Sequence, residues 1–480
     1  MTRQPPSPPT HAGESTAESA ILITVDSLRA DAVDLDPAGL TPSMAQLAAD
    51  GTLCTNAFAG GNWTPFSFPS ILASSPVFTR DGDIGVTGAA TLASVLTDAG
   101  FTTAGFNAAN GFLTGHWGYD RGFDQFDPHV TADESSLYGR YLATHPTVEA
   151  WLQLATAPLR RLRSKLSGAA DSRPFLDTSR MFAVEESAQR FISETEGPFF
   201  LWLHYMDAHT PYVPAPRYIR DVSAARIGTH RMLLAHTRTG LGREVAPRTL
   251  RDLQNLYRAA IRQVDLSIGR VLETLAAAGK RDSTAVVLAG DHGEEFQEHG
   301  HLAHYPKLYD ELIHVPLIVH APGRTPAVDS TPVGLEAIPP TVTSLLGVDP
   351  APTWEGTPVG ATADGDAAPV VSVTVRGEEI TSQPIPRTLD DGRLLLSART
   401  ADHVYIADPD RDHAELYDRR SDPYQQVNLL PTADAEVVAV RDRLAAAVSA
   451  HAVRLGGVTP ADAGPAAPDV EARLSALGYR

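Results

Sequence analysis

The chain has 480 residues, of which 43% are hydrophobic and 20% are charged, and its formal net charge is −19. This length predicts two to four domain-sized units, and the composition is typical of a globular protein rather than a fibrous or disordered one. The acidic balance argues against nucleic acid as the main partner, because the phosphate backbone would be repelled.

The cysteine content and the N-terminus bear on location. Cys54 is the only cysteine, so no intrachain disulfide can form, which is compatible with the cytoplasmic location that we expect. Residues 1–19 are rich in proline and serine and lack the apolar segment of a signal peptide, so they predict a disordered tail. We find no run of about 18 apolar residues and expect no membrane span.

The first predicted element after this tail is a buried strand. Residues 20–25 form a continuous apolar run that ends at Asp26. A short run without alternation is typical of a strand buried on both faces, as in a parallel sheet. Ligands bind just outside the carboxyl ends of such strands, so Asp26 is a candidate site residue. The alternative is that Asp26 only caps a helix.

The next key stretch surrounds a threonine. Residues 41–51 predict a helix, and residues 60–74 follow as G-G-N-W-T-P-F-S-F-P-S-I-L-A-S. We predict that a helical pattern begins at residues 70–73, which leaves Thr64 in the loop before it. A helix N-terminus favours a bound phosphate or sulfate, so the Thr64 hydroxyl is a candidate nucleophile. The alternative is an N-cap or turn residue.

The middle of the chain predicts a helix and strand over residues 91–101 and then a helical insertion at about residues 130–185. Its segment 137–166 is locally basic near its end. A surface insertion, such as a lid over the site, is the favoured interpretation. Binding of this basic helix to a membrane or a partner is the alternative.

Two further apolar runs also end in polar groups. Residues 199–203 precede H-Y-M-D-A-H-T-P-Y, which contains His204 and His209. After a helix predicted at residues 251–276, the run 285–289 leads to Asp291 and His292. An adjacent carboxylate and imidazole are oxygen and nitrogen ligands for a divalent cation. The alternative is a solvated surface loop with incidental histidines.

The domain organisation follows from this alternation. Strands and helices alternate over residues 20–348, which predicts one large α/β domain with a mostly parallel sheet. Residues 349–369 are rich in proline, glycine, alanine and aspartate and predict a linker. Short strands within residues 370–432 predict a small antiparallel sheet, and residues 433–480 predict a helical tail.

Together, eight stretches resemble the sulfatase family of the alkaline phosphatase superfamily. They include I-L-I-T-V-D-S-L-R-A-D from Ile21, W-T-P-F-S-F-P-S-I-L from Trp63, L-H-Y-M-D-A-H-T-P-Y from Leu203 and G-D-H-G-E-E-F-Q-E-H-G from Gly290. They occur in the family's order and cover nearly the whole chain from residue 20. The resemblance implies an α/β fold: a mixed, mainly parallel sheet with helices on both faces, plus a small C-terminal antiparallel sheet.

The resemblance also implies roles for particular residues. The implied ligands of one divalent metal ion (Mn, Ca, Mg or Zn) are Asp26, Thr64, Asp291 and His292. The implied catalytic residues are Thr64 as nucleophile, with His209 and His304 holding the anionic group or assisting the leaving group. The implied substrate-binding residues are His204 and Lys307.

The nucleophile stretch departs from the family pattern. Sulfatases usually read C-x-P-S-R, and the cysteine or serine is oxidised to formylglycine, whereas residues 64–68 here read T-P-F-S-F. Threonine cannot become formylglycine, and Phe68 replaces the arginine. Threonine is the nucleophile type of the phosphodiesterases and phospho-group transferases that the chain resembles. We therefore expect phosphoester or phosphodiester hydrolysis in preference to sulfate hydrolysis.

Two other functions remain open at this level. One is transfer of a phospho-substituent to a sugar or lipid acceptor, and the other is a non-catalytic binding module on the same fold. For the enzyme we expect an anionic small-molecule or glycan-linked ester substrate. The sequence leaves the oligomeric state open.

Overall fold

The computed structural model describes residues 17–80, 84–129, 180–224, 227–228, 231, 234–235, 245–361, 367–376, 393–409, 413–431 and 434–456. The basic segment 137–166 and most of the predicted N-terminal tail lie outside these described residues.

Fifteen strands are numbered along the described chain. They are β1 (Ser19–Val25), β2 (Thr52–Phe58), β3 (Thr102–Asn107), β4 (Gln125–Asp127), β5 (Phe199–Tyr205), β6 (Thr284–Gly290), β7 (Glu295–Phe296), β8 (Leu302–Ala303), β9 (His314–His320), β10 (Ala327–Asp329), β11 (Val333–Gly334), β12 (Val370–Arg376), β13 (Arg393–Arg399), β14 (His403–Asp408) and β15 (His413–Asp418).

The α-helices of the described residues are numbered in the same way. They are α1 (Pro42–Asp50), α2 (Thr64–Ala73), α3 (Leu92–Asp98), α4 (Met181–Glu194), α5 (Pro216–Val222), α6 (Pro247–Ala277), α7 (Asp310–Ile313), α8 (Ile338–Leu346) and α9 (Ala435–Gly456). None of them combines the length and the apolar character that crossing a membrane requires.

A nine-stranded mixed sheet forms the centre of the protein, in the order β10-β2-β9-β6-β1-β5-β3-β4, with β11 also beside β2. Strand β9 runs antiparallel to both β2 and β6, whereas β1 is parallel to β5 and β6. A separate antiparallel sheet has the order β12-β13-β14-β15. The predicted fold class, a mainly parallel sheet with a small C-terminal antiparallel sheet, is confirmed.

Helices cover both faces of the central sheet because successive side chains of its inner strands point to opposite faces. In β1, Leu22 belongs to one apolar core and Ile21 and Ile23 belong to the other. Helices α2, α3 and α8 contribute to the first core, and α1, α4 and α6 contribute to the second. This burial on both faces explains the unbroken apolar runs in the sequence.

The register of the parallel strands places the site residues at one edge of the sheet. Val25, the last residue of β1, pairs with Gly290 on β6 and with Tyr205 on β5. The residues that follow Val25 and Gly290 are Asp26 and Asp291, so the two aspartates leave the sheet side by side.

One predicted boundary near the site is wrong. Helix α2 begins at Thr64 rather than near residue 70, so Thr64 lies in its first turn and not in a preceding loop. Trp63 is extended (φ −138°, ψ 151°) and Pro65 occupies the first turn, where its missing N–H removes no helical hydrogen bond.

Candidate active site

The two strand-end aspartates lie at the base of the site, and both are fully buried. The Oδ1 atom of Asp291 accepts hydrogen bonds from the backbone N–H of Ser27 (3.1 Å) and of His292 (2.8 Å). The hydroxyl of Ser27 donates to Asp26 Oδ1 at 3.2 Å. Ser27 therefore contacts both carboxylates, Asp26 through its hydroxyl and Asp291 through its backbone N–H.

The imidazole of His292 faces both carboxylates. Its Nδ1 lies 2.9 Å from the carbonyl oxygen of Gly293, which can only accept, so Nδ1 carries the proton. Its Nε2 then presents a lone pair, 3.5 Å from Asp26 Oδ1 and 3.7 Å from Asp291 Oδ2. A ring held in this way by its other nitrogen is typical of a metal-ligating histidine.

Thr64 joins this group from the start of α2. Its Oγ1 donates to Asp26 Oδ2 at 3.2 Å. Asn110 donates from Nδ2 to the same Asp26 oxygen (3.1 Å) and lies 3.4 Å from Thr64 Oγ1. Asn107, the last residue of β3, holds Asn110 by accepting its backbone N–H at 3.1 Å.

The sequence analysis assigned no role to Asn110. The signal was present in N-A-A-N at residues 107–110, because a further strand of the same sheet ends there in an amide.

The charges of this group fit a divalent cation. Asp291 Oδ2 is buried and has no hydrogen-bond partner among the described residues. Burial and the charge of Asp26 raise the pKa of Asp291 to about 8. Burial opposes ionisation of Asp26 too, but His209, His204 and His292 outweigh it and lower the pKa of Asp26 below its usual range. A cation between the carboxylates would remove their repulsion and satisfy the orphaned oxygen.

A second set of groups comes from loops. The rings of His209 and His304 lie 4.9 Å apart, and the ring of His304 is 5.2 Å from that of His292. The His304 carbonyl accepts from Asn62 Nδ2 (2.9 Å) and Trp63 Nε1 (2.5 Å), the two residues before Thr64. The residues just before the nucleophile candidate are therefore hydrogen-bonded to the backbone of His304.

The Glu294 side chain lies behind His304 and was also missed by the sequence analysis. It is fully buried, accepts a hydrogen bond from the Tyr212 hydroxyl, and places Oε2 3.6 Å from His304 Nδ1. Burial raises the pKa of Glu294, but the nearby imidazoles of His304 and His209 and the hydrogen bond from Tyr212 outweigh it, so this pKa falls below its usual range. Glu294 therefore lies where it can orient His304.

The two residues expected to bind substrate have other neighbours. Lys307 is buried and forms an ion pair with Glu295, with both carboxylate oxygens 3.3 Å from Nζ. It also donates to the carbonyl of His299 at 2.5 Å. His204 is fully buried, and its Nε2 is 3.6 Å from Asp26 Oδ2. The structure thus places His204 beside the implied metal ligands.

Comparison with known proteins agrees with this fold. The model of the sulfatase family matches residues 19–348, more than two thirds of the chain. The chain belongs to the sulfatase family. The uncharacterized sulfatase YidJ of Escherichia coli K12 is 30% identical over 183 residues, which are 36% of this chain and 33% of that protein. The matched part spans less than two fifths of the first curated relatives.

Solved structures of low identity share the fold of this sulfatase-family protein. The phosphonate monoester hydrolase of Agrobacterium radiobacter has a TM-score of 0.64 at 18% identity, covering 92% of this chain and 95% of the other. A protein solved with its substrate D-glucosamine-2-N,6-O-disulfate has a TM-score of 0.64 at 16% identity, covering 93% and 100%.

The sulfatase-family pattern has arginine where this protein has Phe68, and the structure shows what Phe68 contacts. Phe68 is fully buried and packs edge-on against the ring of His204, with centroids 5.1 Å apart. It also contacts Trp202 at 5.6 Å. The substitution therefore replaces a cation by an apolar wall behind the site.

Proposed function

We propose that this sulfatase-family protein is a metal-dependent hydrolase of anionic esters that uses Thr64 as its nucleophile. The observation that carries the proposal is the contact of Thr64 Oγ1 with Asp26, 3.2 Å away, in a group that also contains Asp291 and His292. A hydroxyl beside a buried, cation-binding carboxylate pair is suited to nucleophilic attack.

The residues of the chain divide the reaction between them. Asp26, Asp291 and His292 would hold a divalent cation, which would offset the charge of the anion and lower the pKa of the Thr64 hydroxyl. Thr64 Oγ1 gives up its proton through its hydrogen bond to Asp26 Oδ2 and forms the new bond to phosphorus as the bond to the leaving oxygen breaks. Asn110 donates to the same Oγ1 and holds its direction.

Two histidines, His209 and His304, are placed for proton transfer. His209 and His304 have adjacent rings beside His292, so either can give a proton to the departing oxygen. Water then cleaves the Thr64 ester and releases the product acid. A formylglycine could instead expel sulfate by elimination, and a threonine ester cannot.

We propose a singly charged phosphodiester or phosphonate monoester as the preferred substrate, in preference to a sulfate ester. Phe68 brings no charge where the family has arginine, and the charge of Lys307 is offset by Glu295. A dianionic phosphate monoester would need more positive charge than these residues supply. A sulfate ester is singly charged, but its threonine ester would lack an elimination route. The alcohol part of the substrate is proposed to be a small molecule or a glycan.

The test is a substrate panel with metal-free protein reloaded with Mn²⁺, Zn²⁺, Mg²⁺ or Ca²⁺. Bis-p-nitrophenyl phosphate and p-nitrophenyl phenylphosphonate should give higher kcat/KM than p-nitrophenyl phosphate or p-nitrophenyl sulfate. Mass spectrometry of quenched turnover should find phosphorus on Thr64. The highest kcat/KM with the sulfate would overturn the substrate preference, and no turnover of any ester with any metal would overturn the enzyme.

A further inference from the structure

His204 is a buried imidazole that the reaction described above does not use. It is the second-to-last residue of β5, it is fully buried, and its ring contacts the aromatic rings of Phe68 and Trp202. Its Nε2 has no hydrogen-bond partner in the part of the chain that the structure describes. A buried polar atom without a partner is costly unless something absent from the coordinates satisfies it.

The other ring nitrogen shows which group Nε2 presents. His204 Nδ1 is 3.0 Å from Thr24 Oγ1. The same hydroxyl accepts from Trp202 Nε1 at 3.0 Å and donates its single hydrogen to the Leu203 carbonyl at 3.2 Å. We assign that hydrogen to the Leu203 carbonyl, which can only accept, so that Nδ1–H of His204 donates to Thr24. Nε2 of a neutral ring is then a lone pair.

That lone pair points toward a carboxylate. His204 Nε2 is 3.6 Å from Asp26 Oδ2, and two acceptors at this distance do not stabilise each other without a cation between them. His204, Asp26 and Asp291 can each offer one ligand atom, all within 4.8 Å of one another. The separation of the pair matches that between His292 Nε2 and the two carboxylates, which is 3.5 and 3.7 Å.

We propose that His204 is a ligand of the cation, so that two imidazoles and two carboxylates surround it. This inference rests on the proposed cation of the preceding section and extends it to the class of ion. Oxygen-only sites suit Ca²⁺ and Mg²⁺, whereas imidazole nitrogens suit Zn²⁺ and its neighbours in the first transition row. The site therefore selects a nitrogen-preferring transition-metal ion over Ca²⁺.

The neighbours of His204 support this role over substrate binding. Thr24 fixes the tautomer, and Phe68 and Trp202 exclude water from the ring, as the outer partners of metal-bound histidines do. The arginine of the family pattern would place a positive charge where Phe68 now contacts the imidazole. An apolar residue at position 68 is thus compatible with a cation bound by His204.

The test measures Zn²⁺ and Ca²⁺ affinity by competition with chromophoric chelators, without any substrate. His204→Gln should weaken Zn²⁺ binding by at least about 10–100-fold and change Ca²⁺ binding much less, so that the Zn²⁺ preference falls by a similar factor. Thr24→Val, which removes only the hydroxyl that holds Nδ1, should show a smaller loss of the same kind. His320→Gln is the matched control, since His320 pairs with Val286 near the other end of β6 and should leave both affinities unchanged.

X-ray absorption of the Zn²⁺-loaded wild-type protein provides a measurement that does not depend on the folding of a variant. Scattering from two imidazoles supports the proposal, and scattering from one imidazole overturns it. Equal losses of Zn²⁺ and Ca²⁺ affinity in His204→Gln would also overturn it, because His204 would then only orient Asp26. If two imidazoles bind Zn²⁺ but no ester is hydrolysed, the proposed function fails and this assignment stands.

Discussion

Asp291 is fully buried and Asp310 is mostly buried, and the two carboxylates differ in the charges beside them. Asp310, at the start of α7, contacts Arg399 Nε at 3.2 Å and Arg419 Nε at 2.6 Å, both from the C-terminal sheet region. Burial raises the pKa of Asp310, but Arg419 and Arg399 outweigh it and lower that pKa below its usual range. Asp291 instead faces a second carboxylate, Asp26, and its pKa is raised to about 8.

The difference is that the charge of Asp310 is compensated within the protein, whereas that of Asp291 is not. Asp310 and its two arginines form an ion cluster in which the charges compensate one another. This cluster attaches the C-terminal sheet to the chain just after His304. Asp291 keeps an unsatisfied oxygen and a repelling neighbour, which costs stability until a ligand arrives. We therefore expect substitutions at the two aspartates to have effects of opposite sign.

The largest expected effect is on turnover. Thr64→Ala should lower kcat/KM by on the order of 10⁴-fold or more, because the attacking oxygen is lost. Cation affinity should fall far less, since the aspartates and histidines remain. Thr55→Ala is the control: its hydroxyl donates to the Asp329 carbonyl on the sheet edge. A Thr64→Ala protein with more than a tenth of wild-type activity would show that the reaction centre is not the group formed by Thr64 and the residues around Asp291.

The next effect in size is on folding. Asp310→Asn should destabilise the protein by about 3–5 kcal/mol, because the fully buried Arg399 loses its partner. Urea denaturation in the presence of chelator would measure this. Cation affinity per folded molecule should stay close to wild type, and an equally large loss of affinity would mean that the ion cluster also shapes the metal site.

Substitution of Asp291 is expected to change stability in the opposite direction from substitution of Asp310. Asp291→Asn should stabilise the metal-free protein by about 1.4–2.7 kcal/mol, the equivalent of one to two pKa units of repulsion. It should also abolish the stabilisation that an added cation gives the wild type. Melting temperatures with chelator and with Zn²⁺ would show both effects. Destabilisation of the metal-free variant would mean that Asp291 is as well compensated as Asp310.

A further difference between the two aspartates is the pH dependence of the stability of the metal-free protein. The folded Asp291 holds its proton to about pH 8, whereas the unfolded chain releases it near pH 4. The folded state therefore binds more protons in this window, and the contribution of Asp291 to stability falls as pH rises from about 4 to 8. Asp310 acts in the other direction, because its lowered pKa means that stability is lost only in acid. Denaturation between pH 5 and 8 should show a flatter slope for Asp291→Asn than for wild type, and equal slopes would contradict the assignment.

Prediction from sequence was most successful for single strands, which a local run of apolar residues is enough to indicate. The apolar runs before Asp26 and Asp291 indicate buried strands, and β1 and β6 are there. Thr64 was singled out, but the start of its helix was misplaced by about one and a half turns. All residues of α2 are buried, both apolar and polar. Its sequence therefore lacks the alternation of an apolar and a polar face by which the extent of a surface helix can be recognised.

Residues whose importance comes from distant partners were harder to assign. Asn110 and Glu294 are ordinary polar residues until Asp26 and His304 lie next to them. For His204, the family resemblance implied contact with the substrate, and no local pattern indicated that its Nε2 lies 3.6 Å from Asp26. Its place inside β5 and beneath Phe68 depends on packing against α2, which no local pattern records.

The sequence by itself determined the family resemblance, the mainly parallel sheet and the polar residues at the strand ends, because hydrophobic periodicity and strand-end carboxylates are local properties of the chain. Only the tertiary structure decided which charges are compensated. Val25 pairing with Gly290 sets Asp26 against Asp291, and the C-terminal sheet brings two arginines to Asp310. Electrostatic energy depends on distances between residues that are far apart in the sequence, so it is settled only when the chain has folded.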